Sequence, residues 1–572
     1  MVSSSVGIVY ATARDGISRL DSSDINKPDR GIYNILTRDP QEMPIQASKF
    51  SSFLVFLNCS RLHTVAHRSL FTTTVKRERD PNPRLAECDL ETLYTYSAQC
   101  WLWNETQQLQ RRYRAFDLPA LIYVAEQAAG NNAVCASISK LPEGNLDKAL
   151  LATMRDGREL VEVATMRYAR ENLHLPVPQV LAYCSRAGDS QLDAEYIVME
   201  KARGIELSRV WETLKPREKL SIVQQLGSIT SRLSSGRFPA HGSLYLREDV
   251  AKSEALAGDD VFAIGPTTSR AWFDDQRAAV DIHRGPWPST KDTIHALIQR
   301  EQAYIHQLPS FPRDHQQGIF NGPGGYYPAK QTKLSVLQDF LSIYHHLLPK
   351  DEALNQGILW HNDLNLDNIF VNRDHPTEIT GIIDWQAVPI SPMFLIAHHP
   401  SLIEYDGPKP ERFVRPRLPE EKKAAAEMFL AQTLWLYYET QLYKAAPDLL
   451  HAFRYRETVQ SDLLGLAGSV FDDGEPHVRR LGAIVAGDGV WRQLVGMDEC
   501  GAPVVACPLK YTERDLVRQA EEYARWEGVV ERKARVIEEL GVYPGWNSAV
   551  PPGDYDEMAR RLEVAKKRFL DR

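Results

Sequence analysis

The chain predicts an α+β protein of two lobes, a small strand-rich unit followed by a larger helical one. Three observations lead there. Alternating apolar segments cluster at 134–139, 148–154, 179–184 and 195–200, with a single helical stretch at 162–172 among them. Beyond Gly204 the periodicity turns helical, over 216–234, 289–307, 331–348 and 420–444. A short strand cluster at 357–385 interrupts those helices and carries a motif of polar residues at fixed spacing.

At 572 residues the chain is long enough for two or three units and a sizeable core. Its 43% hydrophobic and 25% charged content is that of a globular protein. A formal net charge of -8 weighs against a nucleic-acid partner. Seven scattered cysteines, odd in number and without a CxxC, weigh against a disulfide scaffold or zinc module and fit a reducing compartment. The longest apolar run near the N-terminus, Phe53 to Leu57, is too short to span a bilayer, so no transmembrane segment is expected.

Residues 1–42 are polar, with Asp15, Asp21, Asp24, Asp29 and Asp39, and read as a disordered extension or a gene-model artefact. From Met43 to Arg77 there is no Asp or Glu, while Lys49, Arg61, Arg68, Lys76 and Arg77 are basic and Ser and Thr are frequent. That is transit-peptide composition, so 43–80 is read as a mitochondrial targeting segment, with a cytoplasmic location as the alternative. A presequence starting at the initiator would not begin 42 residues in.

The small lobe is assigned to 81–204, including N-terminal helices. Within it, Trp101 to Phe116 is amphipathic and expected to be helical, and Asp117 is placed to cap a helix ending at Gly130. The large lobe is assigned to 205–470, and 471–572 to a C-terminal helical segment. There Thr512-Glu513-Arg514-Asp515 resembles a capping box, opening a long helix closed by Gly541. Its apolar positions Leu516, Ala520, Tyr523, Val530, Ala534 and Ile537 are expected to dock it on the large lobe.

The motif is Trp360-His361-Asn362-Asp363-Leu364-Asn365-Leu366-Asp367-Asn368, followed by Ile379-Thr380-Gly381-Ile382-Ile383-Asp384-Trp385. It reads HxDxxxxN, then a hydrophobic strand ending in Asp, which is the layout of a phosphoryl-transfer site. Such chemistry needs one carboxylate to orient a hydroxyl and take its proton, and an amide with a second carboxylate to hold magnesium. A hairpin after Asn368 is what returns Asp384 beside Asp363. An ordinary polar turn is the bland alternative. A metal-dependent hydrolase using His361 and Asp363 as ligands is a third reading, weakened because His345-His346 and His398-His399 are adjacent pairs rather than ligands four apart. In the small lobe, Gly144 lies between two predicted strands, where it brings backbone amides to a phosphate or simply makes a hairpin turn. Tyr196 to Glu200, followed by Gly204, reads as a strand running into a connector.

The chain resembles the aminoglycoside phosphotransferase family, a branch of the protein-kinase-like fold, and within it a fungal mitochondrial branch. The resemblance is carried by Leu93-Tyr94-Thr95-Tyr96, Trp101 to Glu105, Glu162 to Met166, Arg284-Gly285-Pro286-Trp287, the 361–368 loop, Gly381 to Gln386, His399-Pro400 and Tyr405-Asp406-Gly407. It covers about residues 90 to 570. It implies a two-lobed kinase-like fold, with ATP and Mg2+ as cofactors and a small-molecule or protein hydroxyl as acceptor. It implies Asp363 as catalytic base, His361 as brace of the loop, and Asn368 and Asp384 as magnesium ligands. Gly144 would cover the phosphates, Met199, Glu200 and Ala202 would form the adenine connector, and Glu162 would be the helix glutamate that pairs with a phosphate-binding lysine.

That lysine has no place in this chain. The family carries it on a strand between an Asp-Gly hairpin and the glutamate helix, but only four residues separate Gly157 from Glu162. A strand, a loop and a helix start do not fit in four residues. Lys148 is the nearest substitute, though a solvated strand lysine explains it as well. Two functions therefore compete at this level: an active phosphotransferase, and a pseudokinase that acts by binding or regulation.

Overall fold

The computed structural model describes residues 53–57 and 90–569, apart from 114, 130–134, 141–147, 155–162, 185–195, 274–275, 309–310, 312–328, 406, 408–418, 543–545 and 547. Gly144, Glu162, residues 1–42 and most of 43–80 lie outside the described residues.

The small lobe is built on one antiparallel sheet of five strands. They are β1 (Phe53–Leu57), β2 (Cys135–Lys140), β3 (Lys148–Met154), β4 (Val180–Cys184) and β5 (Tyr196–Glu200), in the order β2-β3-β1-β5-β4. Four of these lie where alternation predicts them. The fifth comes from inside the acid-free segment read as a targeting sequence. Phe-Leu-Val-Phe-Leu is a continuous apolar run bounded by serines and Asn58, the pattern of an interior strand rather than a half-exposed one. Asp117 caps helix Leu118–Ala129 as expected, its carboxylate accepting from the Ala120 N–H at 2.9 Å. That helix buries Leu121 and Ala125 and packs on β2, β3 and β4.

The stretch from Trp101 to Phe116 is not one helix. Cys100–Trp101 forms a strand paired with Ala549–Val550, and the helix covers only Glu105–Arg112. Asn104, at φ 58°, breaks the two apart in the left-handed region that Asn tolerates. Trp101 is fully buried against a segment about 450 residues away, a contact that local periodicity does not register.

In the large lobe, helices Pro216–Ser235 and Pro419–Ala445 pack closely, with the Tyr438 hydroxyl donating to Thr230 Oγ1 at 2.9 Å. Gly227 permits that approach, since a Cβ there would lie 3.0 Å from Gln441 Cβ. Helices Thr290–Gln307 and Lys330–Leu347 pack against each other in the same lobe. Among the described residues no helix is long and apolar enough to cross a membrane.

The C-terminal helix Glu513–Leu540 opens on the Thr512–Asp515 capping box and closes at Gly541, φ 69°. Its buried stripe differs from the expected one. Trp526, Val529, Val536, Ile537 and Leu540 are buried, while Leu516, Ala520 and Ala534 are exposed. The stripe drifts around the helix because 28 residues are held by two different partners. Near its start, Tyr523 and Trp526 pack on His477, and Arg479 pairs with Glu522. Toward its end it joins helix Tyr555–Phe569 in a second core with Trp546 and Val550, against Cys100, Leu102 and Trp103. Deleting 511–572 would uncover both surfaces. The expected result is aggregation or a melting midpoint lower by about 5 °C or more. An unchanged melting transition would show instead that the segment contributes nothing to the body of the protein.

Candidate active site

The motif sits on a three-stranded sheet that joins the lobes. Ile369–Val371 pairs on one side with Ile379–Ile382 and on the other with Ile205–Glu206, the exit of the connector from β5. Gly204 makes that junction: its φ is +102°, and a Cβ there would fall 2.0 Å from the Val371 carbonyl oxygen. Gly204→Ala should therefore destabilise the chain by roughly 3 kcal/mol or more, seen as a lower urea midpoint. Ala202 lies on Gly381, where a Cβ would meet its own at 3.2 Å. Met199 and Ala202 are buried, and Glu200 bonds back to Gln179, its carboxylate accepting from the Gln179 N–H at 3.3 Å. Of the connector residues named from the sequence, Ala202 lies against the strand that leads to Asp384, while Met199 and Glu200 end β5.

His361 is fully buried with its ring edge-on to Trp385, 4.8 Å between centroids. Its Nδ1 accepts from the Asp363 N–H at 3.2 Å, which leaves Nε2 as the donor to the Ile383 carbonyl at 2.8 Å. One ring ties the start of the loop to the end of the returning strand. Both nitrogens are thereby used, so His361 has no lone pair for a metal. Burial lowers its pKa and keeps it neutral.

The Asp363 carboxylate is held from both sides. Oδ1 accepts from Asn365 Nδ2 at 2.8 Å, and Oδ2 from Asn368 Nδ2 at 3.2 Å. Asn368 Nδ2 also donates to the Asp363 carbonyl at 3.0 Å, and the Asn368 carbonyl accepts from the Ile383 N–H at 3.0 Å. With its amide nitrogen so committed, Asn368 keeps its amide oxygen for another partner. Asn365 was not singled out by the sequence reading. Its Oδ1 accepts from the N–H groups of Asp367 and Asn368 at 2.8 and 3.0 Å, an Asx turn that shapes the loop. Asn three residues before Asn368 is the signal that marks it.

Asp384 has φ 64°, in the left-handed region, which turns its side chain out of the strand line. Burial raises its pKa, and the neighbouring Asp363 charge raises it further, while Arg270 acts in the opposite direction. Arg270 belongs to a wall that the sequence reading missed. Gly242 exchanges backbone bonds with Ile390 at 2.9 and 2.8 Å, and Ser243 Oγ accepts from the Thr268 N–H at 2.9 Å. Residues 241–243 and 267–270 are thus fastened to the chain just after Asp384. Only the folded path of the chain brings Arg270 there; no local spacing announces it.

The same wall carries His241, 3% exposed, with Nδ1 2.7 Å from Thr293 Oγ1. Burial pushes its pKa down to about 4. His361 and His398 are lowered for the same reason. A histidine kept neutral in the fold takes up a proton more readily once unfolded. Its contribution is present above the ordinary value near 6.5 and is lost as pH falls toward the folded value. For His241 that amounts to about 3 kcal/mol. The urea midpoint should fall steadily between pH 6.5 and 4, and His241→Gln should flatten that slope; a midpoint constant down to pH 4.5 would contradict the assignment.

Residues 158–394 match the phosphotransferase enzyme family. A subtelomeric hrmA-associated cluster protein of Aspergillus fumigatus is 27% identical over 463 aligned residues, covering 71% of this chain and 88% of that protein. A Yarrowia lipolytica protein named altered inheritance of mitochondria protein 9, mitochondrial, is 22% identical over 516, covering 79% and 84%. A solved aminoglycoside-3'-phosphotransferase of type VIII covers 56% of this chain at 14% identity, with a TM-score of 0.21. Over residues 158–394 this two-lobed, kinase-like chain thus matches the phosphotransferase enzyme family, and most of its length is similar to these fungal relatives.

Proposed function

We propose that the site transfers a phosphoryl group from Mg-ATP to a hydroxyl acceptor in a mitochondrial protein. The observation that carries this reading is the convergence of Asp363, Asn368 and Asp384 on one sheet end beside the connector. The donor set fits magnesium: a carboxylate and an amide oxygen, hard ligands that leave room for phosphate oxygens and water. Asp384 and Asn368 would hold the ion, which when bound neutralises charge on the nucleotide phosphates. The chain's own residues do the rest. Asp363 is fixed by Asn365 and Asn368 so that it receives the acceptor proton without reorganising, and His361 locks the loop to the strand. Met199 to Ala202 would offer backbone groups to the adenine. The hydrolase reading loses its ligand, because both His361 nitrogens are engaged. The mitochondrial placement is supported by the names of the yeast relatives.

One observation favours a second reading, a nucleotide-binding protein without turnover. The interior strand β1 of the small-lobe sheet has no lysine or arginine. Lys140 Nζ donates to the carbonyls of Thr92 and Thr95 at 3.2 and 2.5 Å, and so is tied to the helical edge. Calorimetric titration with Mg-ATP, set beside phosphate release and transfer assays on Asp363→Asn, separates the two. Binding with turnover lost in Asp363→Asn supports the transferase; binding with no turnover in either chain supports the second reading; no binding in any chain refutes both.

A further inference from the structure

Residues 155–162 alone separate the end of β3 from helix Val163–Glu171. Yet β3 is not paired with β5. Both run in the same direction, and β1 lies between them, antiparallel to each. Its register is continuous on both sides: Phe53 faces Ala152 and Glu200, Val55 faces Leu150 and Val198, Leu57 faces Lys148 and Tyr196. At a strand spacing of about 4.8 Å, β3 and β5 are roughly 10 Å apart and have no direct ladder. Without β1 the sheet divides into two hairpin-like pairs, β2-β3 and β5-β4, each marginal alone and each with a raw edge.

We propose that β3 and β5 frame a binding slot for an extended apolar peptide, and that the chain fills it in cis with Phe53–Leu57. The slot is chemically suited to that occupant. Leu150, Val198 and Met199 on its two walls are fully buried or nearly so, and the backbone ladders on both sides satisfy every amide of a central strand. The filling segment is five β-favouring apolar residues without a charge. Kinase-like chains carry their phosphate lysine on a small-lobe strand; here the interior position is taken by a segment that supplies pairing and no cation. One consequence follows for targeting. The same residues cannot be a removed presequence and the central strand, because processing beyond residue 57 parts β3 from β5. The slot's existence rests on strand pairing alone, and only its relation to the lysine rests on the phosphotransferase reading.

The test uses the full chain and no nucleotide, so its failure is separate from any failure of catalysis. In Val55→Cys/Val198→Cys, directly opposed Cα atoms lie about 4.5–5.5 Å apart, within disulfide reach. Mild oxidation should give a 55–198 cross-link, identified by peptide mass, that neither single variant forms. Val55→Pro should speed amide exchange in 149–152 and 197–199 by about 100-fold, while Val55→Ile leaves it unchanged. Absence of the cross-link, or exchange in those strands unaffected by Val55→Pro, overturns the proposal.

Discussion

Asp384→Asn should abolish magnesium-dependent nucleotide binding and at the same time raise the melting midpoint of the unliganded protein. The two effects have one cause. Asp384 is largely enclosed and stands beside Asp363, so burial first and like charge second push its pKa up. A carboxylate whose folded value is raised binds its proton more tightly in the fold. As pH rises from the ordinary range through the raised value, the folded state loses stability. Asn removes the charge, keeps the shape and accepts the left-handed backbone at φ 64°. Asp384→Ala would be a poorer probe, because alanine adds backbone strain at that position. The expected rise is on the order of 2 °C in the unliganded chain. Mg-ATP should then shift the midpoint of the parent and leave the variant unmoved. Equal nucleotide affinity in the two chains would remove Asp384 from the metal site.

Much of this site was legible in the sequence because it is local. Residues 361–368 form one loop, and a hairpin of fixed length returns 379–384 to it, so spacing alone places Asp363, Asn368 and Asp384 together. The four strands at 135–140, 148–154, 180–184 and 196–200, and the long helices of the large lobe, follow their hydrophobic periods. What stayed hidden depends on partners far along the chain. Phe53–Leu57 pairs with strands about a hundred residues later, and Trp101 pairs at the other end of the chain. Arg270 reaches Asp384's surroundings through the 241–243 and 267–270 tethers. The C-terminal stripe was misplaced by assuming one partner face where the helix has two.

The 572-residue chain should transfer phosphate from ATP on the order of 10²–10³-fold more slowly than the same chain given a lysine-bearing small-lobe strand. On the proposed reading the large lobe would supply the metal ligands and the base, but charge on the nucleotide phosphates also needs a fixed cation from above. Inserting a family-like segment of about twenty residues between Gly157 and Glu162 would offer one. In this fold, however, the insertion meets an occupied slot. A new strand entering between β3 and β5 must displace Phe53–Leu57, whose pairing is complete on both sides. The insertion alone should therefore recover nucleotide binding only in part, and the insertion combined with Val55→Pro should recover more. Turnover in the restored chain should vanish in Asp363→Asn, since an amide cannot take the acceptor's proton. If the unmodified chain already turns over ATP in a manner that Asp363→Asn abolishes, a cation acts from elsewhere. Lys148 is poorly placed for it: its backbone lies opposite Leu57, level with Tyr196 and about 13 Å along the sheet from the Glu200 end that meets the connector. Arg270, whose charge already acts on Asp384, would be the residue to replace first. Loss of turnover in Arg270→Ala with nucleotide binding retained would place the missing charge in the large lobe.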